Sequence, residues 1–171
     1  MIQQATWQIA ERPAAVFSHC KRYRYELWRQ WPHGIRFAMF IGLNPSTADE
    51  TQDDPTVRRC MNFAKSWGYR GMLMMNLFAY RATDPKKMKA YIRPVGPEND
   101  SHLVTAANNA SVVVAAWGTH GGFMDRDKQV IALIPNLHYL KRTKTGYPQH
   151  PLYLPSTLKP QPFYQPCPSQ R

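Results

Sequence analysis

Three side chains in this 171-residue chain combine useful chemistry with a telling position: the carboxamides of Asn44 and Asn76 and the imidazole of His150. A carboxamide offers both donors and an acceptor. An imidazole changes charge near neutrality and can give or take a proton. Asn44 opens the run Asn44-Pro45-Ser46-Thr47, which halts an apolar stretch; Asn76 ends a second such stretch; Trp117-Gly118-Thr119-His120 ends a third; and a fourth leads towards His150-Pro151. Ligands of open α/β sheets lie outside the carboxyl ends of the strands. If the four stretches are parallel strands, these polar groups converge on one rim.

The elements that must position them can be read from the pattern. "RFAMFIGL" (36–43) is apolar at nearly every position, as a strand covered on both faces is. "DPTVRRCMNFAKSWG" (54–68) predicts a helix capped by Asp54, with Pro55 in its first position, Val57, Met61, Ala64 and the Lys65 stem inward, and Gly68 as the stop. "GMLMMNLFAY" (71–80) is the second buried strand. Helices are expected to start at Thr83 or Asp84 before Pro85, and over "DSHLVTAANNA" (100–110) and 125–134, with "PVGPEND" (94–100) as a turn. "SVVVAAWG" (111–118) is the clearest strand, and "LHYLKRT" (137–143) a fourth. "YRYELW" suits either a strand or a helix. Alternating strands and helices predict an α/β fold: three layers, α/β/α, around a mostly parallel four-stranded sheet. Residues 1–154 form one domain, and the Pro-rich tail 155–171 is expected to be extended or disordered.

Composition narrows the function classes. Lys and Arg number 22 against 11 Asp and Glu, a net charge of +11, which points to a polyanionic partner, nucleic acid foremost. The three cysteines are widely spaced without a C-x-x-C, so neither a disulfide framework nor a zinc site is indicated. No apolar run approaches the roughly 20 residues of a membrane span. A monomer in a reducing cytoplasm is expected. The chain has no phosphate loop, no dinucleotide fingerprint and no nucleophile elbow, and no cofactor is expected. Asp53 and Asp54 with Asp84 lie in separate loops without a recognised metal spacing, so no metal is expected either.

Two resemblances follow from longer motifs. "YRYELW", "GLNPSTADETQDDPTVRRC", "MNLFAYRATDP", "GPEND", "VVAAWG" and "HPLYL" make the chain similar to the DUF1643 proteins over about residues 14–154; that family has no assigned chemistry. The order of rim motifs also resembles that of the uracil-DNA glycosylase superfamily. "GLNP" (42–45) looks like its first motif, "LMMN" (73–76) like the strand whose Asn reads the base edge, "VVVAAWG" like its third strand, and "HPLYL" (150–154) like its second catalytic motif.

The second resemblance implies a DNA glycosylase-like enzyme hydrolysing the N-glycosidic bond of a modified or mismatched base. Asn44 would orient the attacking water, although an amide is a poor base. His150 would stabilise the negative charge of the departing base, an effect worth about 3–4 kcal/mol for one good donor. Gly42, Leu43, Pro45, Ser46, Thr47, Asp49, Asp53, Asp54, Asn76, Trp117, Gly118 and His120 would shape the substrate pocket. Arg22, Arg24, Arg58, Arg59 and Lys144 would meet DNA, and Leu152 or Leu154 would fill the gap left by the extruded base. The loop after Asn44 departs from that family: it holds carboxylates where a stacking aromatic is usual, which argues against plain uracil as substrate. Each residue also has a structural alternative. Asn44 can cap a turn, Asn76 can satisfy loose backbone, His150 can be a loop residue, Trp117 can be core, and the carboxylates can form a solvated loop paired with Arg58 and Arg59. Two other functions stay open: a non-catalytic nucleic-acid-binding module of the same fold, and a hydrolase of free nucleosides or nucleotides.

Overall fold

The computed structural model describes residues 12–163. Among them, a seven-stranded mixed sheet is assembled with four α-helices. The strands are β1 (Ala15–Phe17), β2 (Arg24–Gln30), β3 (Ile35–Gly42), β4 (Tyr69–Asn76), β5 (Val112–Ala115), β6 (Leu137–Tyr139) and β7 (Gln161–Pro162), in the order β1-β2-β4-β3-β5-β6-β7. β3 runs parallel to both β4 and β5, and β5 parallel to β6. The four-stranded sheet expected from the sequence is therefore extended. Antiparallel β1 and β2 add to the β4 edge, and β7 pairs antiparallel with β6. β1 and β7, three and two residues long, are too short to show a period, and β2 mixes aromatic and charged residues whose spacing also suits a helix. Of the tail expected over 155–171, residues 155–163 are described and carry β7, with Leu158 packed on the core; residues 164–171 lie outside the described residues.

Both faces of the central strands are buried, in alternation. Met39, Ile41, Leu73, Met75, Val113 and Ala115 pack on one side, against residues of α2 (Pro85–Ala90), α3 (Asn99–Ala107) and α4 (Arg126–Leu133). Ala38, Phe40, Met72, Met74, Val112 and Val114 pack on the other, against α1 (Pro55–Ser66) together with Leu140 and Leu154. This two-sided burial is what the unbroken apolar runs encode. The inward stripe of α1 is Val57, Cys60, Phe63 and Ala64 rather than the expected Val57, Met61, Ala64 and Lys65. Cys60 and Phe63, spaced three and six residues from Val57, follow the helical period better than Lys65, which stays exposed. Asp54 caps α1 by accepting from the Val57 amide at 2.8 Å, and Pro55 opens the helix, as its spacing predicts.

The connections set up a crevice. β3 leads into α1 on one face of the sheet, while β4 and β5 lead into helices on the other. Neighbouring strands whose helices leave on opposite faces open a cleft at their carboxyl ends. No helix among the described residues is long and apolar enough to cross a membrane.

Candidate functional site

A cavity of about 380 Å³ occupies that cleft. The ends of β3, β4 and β5, the start of α1 and the segment before Pro151 contribute to its wall. Asn44, Asn76 and His150 all line it, with Gly42, Leu43, Ser46, Asp54, Trp117, Gly118 and His120. Pro45, Thr47, Asp49 and Asp53 belong to the same loop and are not part of the lining. Arg24, Thr56, Met74 and Thr119 are lining residues that the sequence did not mark as such. Strand-end motifs gave no sign of Arg24, because it reaches the cavity from β2, outside the parallel run.

The strand ends are held by backbone bonds that continue the sheet into the loops. Leu77 and Phe78 donate to the carbonyls of Gly42 and Leu43, each at 2.9 Å. These bonds end β4 at Asn76, short of the expected Tyr80. Asn44 Nδ2 donates to the carbonyls of Ala82, at 2.7 Å, and Pro45, at 3.1 Å. The amide nitrogen is thereby consumed, and the oxygen is the atom left to serve a ligand or a water. One end of the Asn44 carboxamide therefore ties the loop, which is the structural reading, and its oxygen makes no hydrogen bond among the described residues.

Asn76 is 2% exposed, and its Nδ2 has no hydrogen-bond partner. Its side chain does not satisfy loose backbone; that task falls to Asn99, whose Nδ2 donates to the carbonyls of Asn76 and Leu77, each at 3.0 Å. Arg126, the buried first residue of α4, gives the Leu77 carbonyl a second donor at 2.9 Å. Asn99 lies in "GPEND", read from the sequence only as a turn. Gly42 makes room for the Asn76 carboxamide: a Cβ there would stand 2.9 Å from Asn76 Oδ1 and 2.7 Å from Met74 Cε. Trp117 is 2% exposed, and its Nε1 is unpaired and packed against Gly121, where a Cβ would fall 2.6 Å from it. It is both core residue and cavity wall.

His150 stands at the mouth. Its Nδ1 accepts from the Leu152 amide at 3.3 Å, capping the turn Pro151–Tyr153, so the neutral ring carries its proton on Nε2. Desolvation lowers its pKa, against an opposing pull from Asp54. The segment is anchored twice: Gly118 donates to the Pro148 carbonyl at 2.9 Å, and Arg59 Nη2 donates to the Leu154 carbonyl. His120, exposed at the opposite lip, has Nδ1 3.1 Å from Lys89 Nζ.

The acidic loop has a more local role than its sequence suggests. Asp49 Oδ1 accepts from the amides of Thr51 and Gln52, each at 2.9 Å, which lowers its pKa, and Asp53 pairs with Arg29 Nε at 2.6 Å. Asp84 caps α2 through the Lys86 amide. Among the described residues no three His, Cys, Asp or Glu come together to hold a metal ion.

The residues expected to meet DNA separate into two groups. Arg22, Arg58 and Lys144 are exposed. Arg24 is 2% exposed and donates Nη1 to the Ala48 carbonyl, so it is not a surface phosphate contact. Arg59 is spent on Leu154, and Leu154 is 3% exposed in the core, which prevents it from acting as a wedge. Leu152 is half-buried. A leucine after an exposed turn looks the same in sequence whether it points out or in; only the packing of the turn on α1 decides. Two exposed lysines do border the cavity: Lys86 and Lys87 of α2, which starts at the lining residue Pro85.

No curated protein and no solved structure matches the chain, and nothing ties it to the uracil-DNA glycosylase superfamily. A family model described as a protein of unknown function, DUF1643, matches residues 24–152, which include β2 to β6 and every cavity-lining residue, and the chain belongs to that family.

Proposed function

We propose that this protein hydrolyses the N-glycosidic bond of a modified or mismatched base in DNA. The observation that carries the reading is the meeting of Asn44, Asn76 and His150 in one cavity at the carboxyl ends of parallel strands. Glycosidic cleavage passes through an oxocarbenium-like sugar and needs three services: a placed water, a donor for the departing base, and a surface that selects the base. Asn44 Oδ1, held by the two bonds of its own Nδ2, suits the first. His150 Nε2–H suits the second, and a neutral donor matches its lowered pKa. Asn76, with donor and acceptor and no structural obligation, suits the third. The exposed Lys86 and Lys87 beside the cavity supply charge for the phosphate backbone.

The test is base release. Single- and double-stranded oligonucleotides carrying a panel of modified and mismatched bases are incubated with enzyme in excess and then treated with alkali. Strand scission at the abasic site is expected, and it should vanish in Asn44→Ala and His150→Ala while DNA binding persists. Silence on every substrate overturns the proposal; DNA binding without base release would leave a non-catalytic module. A hydrolase of free nucleotides is the second reading, favoured by the cation Arg24 buried in the cavity wall rather than spread on the surface.

A further inference from the structure

The cavity contains a buried charge that the proposed reaction does not use. Arg24 is 2% exposed, and its side chain's one hydrogen bond among the described residues runs from Nη1 to the Ala48 carbonyl. Nε is buried in the cavity wall without an acceptor, and Nη2 makes no hydrogen bond among the described residues. This Nε/Nη2 edge is the side of a guanidinium that grips a carboxylate or phosphate with two parallel bonds. No carboxylate among the described residues bonds to it. Asp54 Oδ1 serves the Val57 amide, Asp49 Oδ1 serves Thr51 and Gln52, and Asp53 serves Arg29. Arg24 stays cationic at neutral pH: burial lowers its pKa, but only to about 10, with Asp54 and Asp49 raising it and Arg81 and Arg29 lowering it. A buried cation without a paired anion is costly to a fold and needs a reason to persist.

The surroundings point the same way. Thr56 and Val57, in the first turn of α1, line the cavity beside Arg24. The Thr56 amide lies in the part of a helix where amides have no intrahelical acceptor, at the positive end of the dipole. Asn76 Nδ2 adds another buried donor without a partner. The one acid in the lining, Asp54, has its Oδ1 committed to the cap of α1.

We propose that the Nε/Nη2 edge of Arg24 is an oxyanion subsite of the cavity, so that the natural ligand brings a carboxylate or phosphate into the pocket together with its base. The proposal rests on reading the cavity as a base pocket. A backbone phosphate outside the protein cannot reach a guanidinium sealed in the wall; the acid must enter. In DNA such a group is an acidic substituent on the extruded base, and in a free nucleotide it is the phosphate. The chemistry met by Arg24 is the same.

Calorimetry on the full-length chain, in about 0.15 M salt to mute general attraction by a chain of charge +11, compares ligands that differ only in the acid. The pairs are short oligonucleotides with 5-carboxycytosine or cytosine, and nucleoside 5′-monophosphates or their nucleosides. In at least one pair the acid-bearing member should bind tighter by about tenfold to hundredfold, the worth of a charge-assisted bond. R24Q should abolish that advantage, with circular dichroism confirming its fold; if R24Q does not fold, R24K, which keeps the charge and lacks the fork, should reduce it. A preference for carboxycytosine assigns the acid to the base, and one for the monophosphate assigns it to a free nucleotide. Equal binding within every pair, no binding by any acid-bearing probe, or an advantage that survives in R24Q overturns the subsite. Acid-selective binding without base release sinks the hydrolase reading and leaves the subsite standing; base release without acid selectivity does the reverse.

Discussion

Replacing Asn76 with leucine should make the protein more stable and inactive at once. The carboxamide is 2% exposed, its Nδ2 has no partner, and the bonds at the end of β4 come from Asn99 and Arg126 to backbone carbonyls, which the substitution leaves untouched. An unsatisfied buried amide costs about 1–3 kcal/mol, and an apolar group of the same branched outline removes that cost. Each kcal/mol moves the melting temperature of a domain this size by about 2–4 °C. The expected rise is therefore about 2–12 °C, towards the lower end because the bulkier leucine presses on Met74 and Gly42. Thermal and urea unfolding, followed by circular dichroism, measure the gain, and the base-release assay measures the loss. A fall in stability of more than about 1 kcal/mol would show that Asn76 carries structural bonds, and the argument that its amide is kept for a ligand would collapse.

The other predictions concern the groups around it. Gly42→Ala should destabilise by about 1–3 kcal/mol and reduce base release further than that loss explains, because the new methyl lies against Asn76 Oδ1; Met74 Cε can move aside but the carboxamide cannot. Removing Nδ2 of Asn99 by Asn99→Ala takes a donor from the Asn76 carbonyl and leaves the Leu77 carbonyl to Arg126 alone, and should cost about 1–3 kcal/mol in urea unfolding. His150 has a pKa below its ordinary value, so its contribution to stability is present above about pH 6.5 and declines as pH falls towards the folded value; turnover should decline over the same range, and the stability step should be missing in His150→Gln. Reversing Lys86 and Lys87 to Glu should weaken DNA binding and flatten its salt dependence without moving the melting temperature by more than about 2 °C.

How much of this was legible in the chain differs from one residue to the next. Unbroken apolar runs announced β3, β4 and β5, because strands buried on both faces have no polar positions to alternate. Asp54-Pro55 and Asp84-Pro85 announced two helix starts, because capping is a matter of local bonds. The meeting of Asn44, Asn76 and His150 followed from one topological rule about strand ends. Arg24 shows the limit. From sequence it was one of several arginines in a basic segment, suited to an exposed face; β2 laid antiparallel against β4 turned it into the cavity wall. Leu154 and Arg59, ninety-five residues apart, likewise acquire their roles from each other. Periodicity, caps and composition report on what lies within a few residues along the chain, and those the sequence by itself determined. Which charge ends up buried, which amide ends up unpaired and which leucine faces inward depend on contacts between distant segments, and only the tertiary structure decided them.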